Sequence, residues 1–240
     1  MSFDKKMGNG LPARVVSPET MIGTVLELGI VPFFANPIPG YSIEEMTAAE
    51  NWFDTQDDLS FTPWDWKIDC VQCGEIAYGK FLWGGKAAFA TVKWYHELMN
   101  YRRSLPKYAP DNAQQQVLDY LQRNGSIGIK ETRGLLGIKK GAADALMCRL
   151  MMQCRVVTGD IIRVYRGPNL QYNGWQYSSF CRPEDLFDNN AAPFFAGFEA
   201  HGGRSLQTNH SPSESLSLLK EHIRSIAPNA TDAQIAKLLN

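Results

Sequence analysis

The 240-residue sequence predicts an α+β protein whose central part, residues 111–187, is a winged-helix domain. Three segments with helical spacing of apolar residues come first, at about 111–125, 130–136 and 141–153. Two strand-like segments follow, at 156–165 and 175–180. The short turn Leu136-Gly137-Ile138 between the second and third helices is typical of a helix-turn-helix. A plain three-helix bundle would not need the terminal pair of strands, so we expect a winged helix.

A small α/β region with an aromatic-rich hairpin is predicted before that domain, at residues 1–108. Its elements are a loose arm at 1–12, a helix capped by Ser17 and ended by Gly29, an irregular proline-rich loop at 32–40, a helix from Ser42 toward Phe53, a hairpin of strands 76–83 and 86–92, and a helix at 93–103. Two prolines make residues 106–110 the best candidate for a linker.

A linker and short helices are predicted for residues 188–240. Ser211 and Thr231 are suited to cap two helices, and the first of these carries Leu216, Leu219 and Ile223 on one face. We expect this apolar face either to pack onto one of the domains or to mediate contacts in a homodimer.

The charge distribution separates one segment from the rest of the chain. The net charge is only −1, but residues 101–166 carry 12 basic and 5 acidic side chains, and the remainder carries 12 and 20. Such asymmetry suits a segment that faces a polyanion, although a solvated basic face is an equal alternative. No apolar run is long enough for a membrane span and no signal peptide is apparent, so we expect a cytoplasmic protein.

The thiols and acids predict neither a metal site nor a cofactor. Cys70 and Cys73 have the spacing of a metal or redox pair, but no second close pair accompanies them, so two ordinary thiols are the preferred interpretation. Phosphate-binding, dinucleotide-binding and hydrolase motifs are absent from the sequence. A run of acids is expected to be a solvated loop rather than a catalytic pair: Asp54, Asp57, Asp58, Asp65 and Asp69.

Aromatic and basic residues alternate ahead of the winged helix. The candidate pocket they suggest contains Trp64, Trp66, Lys67, Tyr78 and Lys80. Aromatic faces can stack on bases while lysines neutralise phosphate. Core packing, with lysine stems covering the rings, is the favoured alternative.

Five basic residues are candidates for DNA contacts: Lys139, Lys140, Arg149, Arg163 and Arg166. The first two precede the third helix of the winged helix, whose N-terminal end would meet base edges. Glycine and alanine follow them, and these side chains make no bidentate contacts with bases. We therefore expect backbone contacts and weak base readout.

The segments 63–67 (Pro-Trp-Asp-Trp-Lys) and 77–89, with its Tyr-Gly-Lys-Phe-Leu-Trp-Gly-Gly-Lys core, resemble the bacterial AlkZ-related proteins. These resemble winged-helix DNA glycosylases that excise alkylated bases, and the resemblance covers about residues 28–187. The glycosylases position water with a Gln-x-Gln or Gln-x-Asp motif. Gln114-Gln115-Gln116 matches in letters, but Gln114 suits a helix cap, so the match is interpreted as coincidence.

Three hypotheses follow. The first is a non-catalytic, DNA-associated winged-helix protein. The second is a glycosylase-like repair enzyme that flips a base into a pocket lined by Trp64, Trp66, Tyr78 and Lys80. The third is a protein-interaction or dimerisation module. The missing water-activating motif favours the first.

Overall fold

A computed structural model describes residues 15–53, 61–187 and 208–240. Some predicted features lie outside these residues: the N-terminal arm, Asp54, Asp57, Asp58 and most of the linker predicted to begin at residue 188. The helices are α1 Pro18–Leu28, α2 Ile43–Met46, α3 Glu50–Phe53, α4 Pro63–Gln72, α5 Val92–Arg103, α6 Asn112–Asn124, α7 Ile129–Leu136, α8 Lys140–Met152, α9 Pro183–Phe187, α10 Pro212–Ile226 and α11 Asp232–Leu239. The strands are β1 Ile30–Pro32, β2 Ile76–Leu82, β3 Lys86–Thr91, β4 Ser126–Gly128, β5 Val157–Arg166 and β6 Gln171–Cys181.

The first sheet is antiparallel, with the strand order β1-β3-β2. It contains the predicted hairpin, which is confirmed, and Gly84 and Gly85 adopt positive φ of 65° and 66° at its turn. Sequence reasoning placed an irregular loop from Pro32, whereas residues up to Pro32 form the edge strand β1. An edge position tolerates proline because one side of the strand needs no backbone donor.

The helices around this sheet differ from the predictions in two places. The helix expected from Ser42 toward Phe53 is divided into α2 and α3, because Thr47 takes an extended conformation between them. The Trp-rich segment, to which no secondary structure was assigned, forms α4. Thr62 precedes Pro63 at the start of α4, and Asp65 completes a capping box there.

The second sheet is also antiparallel and has the strand order β4-β6-β5. Helix α6 precedes β4, and helices α7 and α8 lie between β4 and β5, so the order is helix, strand, two helices and a two-stranded hairpin. The predicted cap of α6 is confirmed, since Asp111 accepts from the Gln114 backbone at 2.9 Å and donates its own backbone N–H to Gln114 Oε1 at 3.0 Å. The strand β4 has only three residues and was not predicted.

The C-terminal helices are part of the fold. Helix α10 packs against α5, and Leu219 and Ile223 are fully buried there. Of the two expectations for this apolar face, packing within the chain is the one observed. The guanidinium of Arg102, also fully buried, donates to the Met152 carbonyl at 2.6 Å and the Leu239 carbonyl at 2.7 Å.

Two apolar clusters make up the core. The larger one joins the first sheet to α1, α5, α10 and α11, and it also takes in Val157 and Ile161 from β5. The smaller one lies among α6, α8 and the second sheet, with Val117, Leu150 and Phe180 at its centre. Because β5 contributes to the larger cluster, the hairpin β5–β6 is fixed to the first half of the chain as well as to the second.

Candidate functional site

Helix α4 brings together three side chains that carry chemistry. Trp64 and Lys67 are three residues apart and therefore lie on one face of the helix. The Lys67 amine bends back along this face, donates to the Trp64 carbonyl, and lies 3.4 Å from the centroid of the Trp64 ring. The Asp65 side chain is only 8% exposed. Sequence reasoning assigned Asp65 to a solvated acidic loop; that prediction was wrong, because the helix turns this carboxylate toward the hairpin β5–β6.

The opposite wall of the site is the hairpin. Asp65 accepts hydrogen bonds from the Tyr172 hydroxyl and, at 3.0 Å, from the Gln176 amide. The Oε1 atom of Gln176 in turn accepts from the Lys67 amine at 2.5 Å. Arg163 Nε lies 3.8 Å from Asp65, which completes a set of charged and polar groups between α4 and β5–β6. We call this set the Lys67 cluster: Trp64, Asp65, Lys67, Arg163, Tyr172 and Gln176.

Burial dominates the electrostatics of the cluster. Lys67 is 3% exposed, and loss of hydration lowers the pKa of its amine to about 7, a shift that nearby Asp65 opposes and Arg163 assists. Burial and the hydrogen bond to Asp65 raise the pKa of Tyr172 to about 12. Lys67 is therefore poised between its charged and neutral forms near pH 7, whereas the Tyr172 hydroxyl stays protonated there.

The rim of the cluster is aromatic and partly open to solvent. Phe61 and Trp64 are each 41% exposed. The Arg163 guanidinium carbon lies 4.1 Å from the Phe61 ring centroid, and the Trp64 ring meets that of Phe33 edge-on at 5.9 Å. A planar group arriving from solvent would thus meet the Trp64 ring before it met the lysine.

The residues predicted as a pocket separate into three locations. Trp64 and Lys67 are in contact. Trp66 and Tyr78 are buried at 7% and 8% exposure in the larger core cluster, where Tyr78 packs on Phe89. Lys80 is exposed on β2, and its backbone amide donates to the sulfur of Met151 in α8 at 3.4 Å. Only the first pair therefore combines a charged group with an accessible ring.

The five predicted DNA contacts also differ in their surroundings. Lys139, Arg149 and Arg166 are exposed. Lys140 is exposed too, but its amine pairs with Asp144 at 2.7 Å. Arg163 is 21% exposed and turned toward Asp65 and Asp69, so it belongs to the Lys67 cluster rather than to the outer surface.

Helix α8 is covered along part of its length. At its C-terminal half, Met151 packs against β2, where a Cβ on Gly79 would lie 3.2 Å from the Met151 sulfur. The N-terminal half is exposed to solvent. Three exposed residues spaced three positions apart follow one side of it, namely Lys139, Ala142 and Ala145. Small side chains here allow another molecule to approach the helix backbone closely.

Exposed apolar side chains concentrate on the hairpin β5–β6. Ten large hydrophobic residues are exposed in the described parts of the chain, and half of them lie on this hairpin: Ile162, Tyr165, Leu170, Trp175 and Tyr177. Trp175 is 60% exposed, and the Arg166 guanidinium carbon lies 5.2 Å from its ring centroid. An exposed apolar group of this kind indicates a contact surface.

Two residues of the Gln114-Gln115-Gln116 segment form side-chain hydrogen bonds within the fold. Gln114 is buried, and its side-chain oxygen accepts from the Asp111 backbone and from Gln153 at 2.9 Å. Gln115 bonds to Asp119 on the surface of α6. Of the two glutamines that match the Gln-x-Gln letters, Gln114 is thus used in holding α6, and Gln116 is exposed on the same helix.

The Cys70 thiol lies on α4, three residues after Lys67, and is buried in the larger core cluster. All five cysteines are free. In the described parts of the chain, no three side chains among His, Cys, Asp and Glu group in a way that could hold a metal ion. Within the same residues, no helix is long and apolar enough to cross a membrane.

Sequence reasoning missed Tyr172 and Gln176, although both contact Asp65. The sequence holds only a weak indication of their role. The two residues alternate along β6 with exposed Trp175, as expected of a strand with two different faces. Which surface the inward face would meet depends on contacts with residues more than 100 positions away.

Comparison with protein families matched a family described as AlkZ related over residues 15–240. Comparison with curated proteins and comparison with solved structures gave no match.

Proposed function

The chain belongs to the AlkZ-related family, and from that premise we propose that it is a DNA-associated protein that binds mainly the phosphate backbone. We assign residues 111–187 as a winged-helix domain, with α8 as the helix that meets DNA and β5–β6 as the wing. The helix and strand order and the β4-β6-β5 sheet support this assignment. The preceding region would end near residue 108, and the C-terminal helices would pack on it.

The observation that carries the proposal is the surplus of exposed cations on α7, α8 and β5. Six basic side chains are exposed along residues 129–166: Lys130, Arg133, Lys139, Lys140, Arg149 and Arg166. Glu131 is the exposed acid in that range, and Asp144 is half-buried against Lys140. An exposed positive surface of this kind neutralises phosphates and releases counterions.

Weak sequence preference follows from the same surface. The open end of α8 presents Lys139 and two alanines, and a lysine there contacts phosphate as a point charge. Alanine offers at most an apolar contact with a thymine methyl group. Arg166 and Trp175 on the hairpin would add a cation and a stacking surface for unpaired or distorted sites.

Fluorescence anisotropy with a random duplex tests the proposal. We expect binding whose logarithmic affinity falls linearly with the logarithm of salt concentration, with a slope of about −0.9 for each phosphate neutralised. A folded protein that does not bind duplex at low salt would refute the proposal. It would also favour a protein partner for the exposed hairpin.

A second candidate function is the processing of damaged DNA, favoured by the Lys67 cluster. A buried amine, a buried carboxylate and a half-exposed ring lie together where α4 meets the half of the proposed wing nearer its turn. Such a combination resembles a site for chemistry more than a surface for binding alone. Incubation with alkylated duplexes, followed by measurement of abasic sites, distinguishes base excision from simple association.

A further inference from the structure

We propose that Lys67 is an amine nucleophile that forms a covalent imine with the C1′ aldehyde of an abasic deoxyribose in DNA. This inference rests on the proposed DNA association and adds a chemical step that association does not require. It also differs from base excision, because the substrate has already lost its base. An aldehyde is the chemical class that a neutral amine attacks.

The first support is the fixed position of the amine. A surface lysine samples many rotamers, but Lys67 is held from two elements, by the Trp64 carbonyl of α4 and by the Gln176 amide oxygen of β6. The Trp64 ring lies over the amine at 3.4 Å. Ordering a reacting group before the substrate arrives lowers the entropic cost of the reaction.

The second support is the charge environment. An amine attacks a carbonyl only in its neutral form, and burial lowers the pKa of Lys67 to about 7. The charged and titratable groups of the cluster and its edge come from all three packed elements: Asp65 and Asp69 of α4, Arg163 of β5, and Tyr172 of β6. Burial, assisted by Arg163, outweighs the attraction of Asp65 and leaves a large share of the amine neutral at pH 7.

The third support is the aromatic ring that covers the Lys67 amine. On the side toward solvent the amine lies beneath Trp64, which is 41% exposed. An incoming sugar would have to displace this ring to reach the amine from that side. An abasic nucleotide lacks its base, so its sugar is small and leaves a gap in the stack. An indole ring can fill such a gap by stacking on the neighbouring base.

The step balances without an oxidant, a reductant or a metal. The Lys67 nitrogen forms a bond to C1′ of the open-chain sugar, and one N–H proton moves to the former carbonyl oxygen. The C1′–O bond of this carbinolamine then breaks, and the second N–H proton leaves with the oxygen as water. A C1′=N double bond remains, and a hydride reagent can reduce it to a stable amine.

Trapping with sodium cyanoborohydride tests the inference. The full chain is incubated with a duplex that carries one abasic site, and the expected product is a covalent protein–DNA complex. After nuclease and protease digestion, mass spectrometry should place the residual sugar on the peptide that contains Lys67. This mapping uses the unmodified chain and does not depend on how well any variant folds.

Two variants sharpen the result. Lys67→Met should abolish the covalent complex, because methionine keeps the unbranched length but lacks the amine. Lys93→Met is the matched control, since Lys93 also lies over a tryptophan ring, at 4.8 Å from Trp94, but is exposed on α5. This control should trap as the unmodified chain does. The trapping rate of the unmodified chain should rise with pH around a midpoint near 7.

The outcomes separate this inference from the proposed DNA association. Binding of the abasic duplex without any trapped product overturns the imine and leaves the association intact. Trapping at another lysine or at the N-terminal amine also overturns it. If the unmodified chain fails to bind the abasic duplex, both proposals fall together. A product that maps to Lys67 and disappears in Lys67→Met supports the inference.

Discussion

Arg102 and Leu239 are joined by a hydrogen bond of 2.7 Å from the guanidinium to the carbonyl, although 137 residues separate them in the chain. The same guanidinium bonds to Met152 at the end of α8. Three parts of the chain, namely α5, α8 and α11, therefore meet on one buried cation. Burial of a cation is costly unless its N–H donors have acceptors. The guanidinium therefore stabilises the fold only while the bonds to both carbonyl groups are formed.

Arg102→Met is expected to destabilise the protein by about 2–5 kcal/mol, because it leaves the buried Leu239 carbonyl and the partly buried Met152 carbonyl without this donor. The loss should appear in the denaturant midpoint for unfolding. Lys107→Met is the control: Lys107 also contacts the C-terminal residue, at 2.9 Å from Asn240, but it is exposed. A change of less than about 0.5 kcal/mol is expected there. Equal losses in both variants would contradict this account of Arg102.

The stability of the protein should depend on pH through Lys67. The pKa of Lys67 is about 7 in the folded chain and near its ordinary 10.5 when unfolded, so the unfolded chain binds more protons between these values. The free energy of unfolding therefore rises with pH above 7, by up to about 1.4 kcal/mol per pH unit. Lys67→Met should remove this rise.

The useful window for that measurement is pH 7 to about 8.5. Above it, the buried thiols of Cys70 and Cys181 have raised pKa values in the fold, and their ionisation in the unfolded chain lowers stability. Denaturant titrations of both proteins across the window provide the comparison. Parallel pH profiles for Lys67→Met and the unmodified chain would show that Lys67 does not titrate there.

Asp65→Asn should weaken the attachment of α4 to the hairpin β5–β6. The carboxylate accepts from Tyr172 and Gln176 and faces Arg163, so its neutralisation leaves the half-buried Arg163 guanidinium poorly compensated. A loss of about 1–3 kcal/mol in unfolding free energy is expected. Asp69→Asn is the control, because Asp69 is 44% exposed and 4.0 Å from Arg163. Similar stability of the two variants would contradict a structural role for Asp65.

Removal of the exposed cations should change the salt dependence of DNA binding. Lys139→Ala and Arg149→Ala are each expected to reduce the slope of log affinity against log salt by about 1. Lys140→Ala should change it less, because the Lys140 amine already pairs with Asp144. Lys93→Ala on α5 is the control for overall charge. Equal effects at Lys93 and Lys139 would indicate that binding does not use the proposed face.

Trp175→Ala should lower affinity for single-stranded or abasic DNA more than affinity for intact duplex. Stacking of a base on an aromatic ring contributes about 1–3 kcal/mol, and an intact duplex offers no unstacked base. The thermal midpoint should change little, because Trp175 is 60% exposed. Leu26→Ala, which removes a residue 41% exposed on α1, controls for the loss of surface apolar area. An unchanged affinity for all DNA forms would contradict a stacking role.

Helix caps were predictable from the sequence because they depend on neighbours in the chain. Ser17, Asp111, Ser211 and Thr231 each accept from a backbone N–H three residues later, as their types suggest. The strands β1 and β4 were missed because three residues cannot establish a period of two. They form because β3 and β6 supply partners from distant parts of the chain.

The candidate site was predictable in part. Trp64 and Lys67 belong to a segment whose composition alone drew attention. Their partner Gln176 is 109 residues from Lys67, so the contact depends on how α4 meets the hairpin. No local pattern indicates that docking. The burial of Asp65 also depends on this docking. In the sequence, a carboxylate among other acids is typical of a solvated loop. Asp65 is buried because a hydroxyl and an amide of the hairpin bond to it.

Neighbouring residues on β6 face different environments: Trp175 faces solvent, and Gln176 bonds to the Lys67 amine. A ligand that shifts the strand at Trp175 must also shift the acceptor that holds the amine. Protonation of Lys67 and occupancy of the outer face are then thermodynamically linked, and the linkage is reciprocal. DNA binding should take up or release protons near pH 7, so its measured enthalpy should vary with the ionisation enthalpy of the buffer.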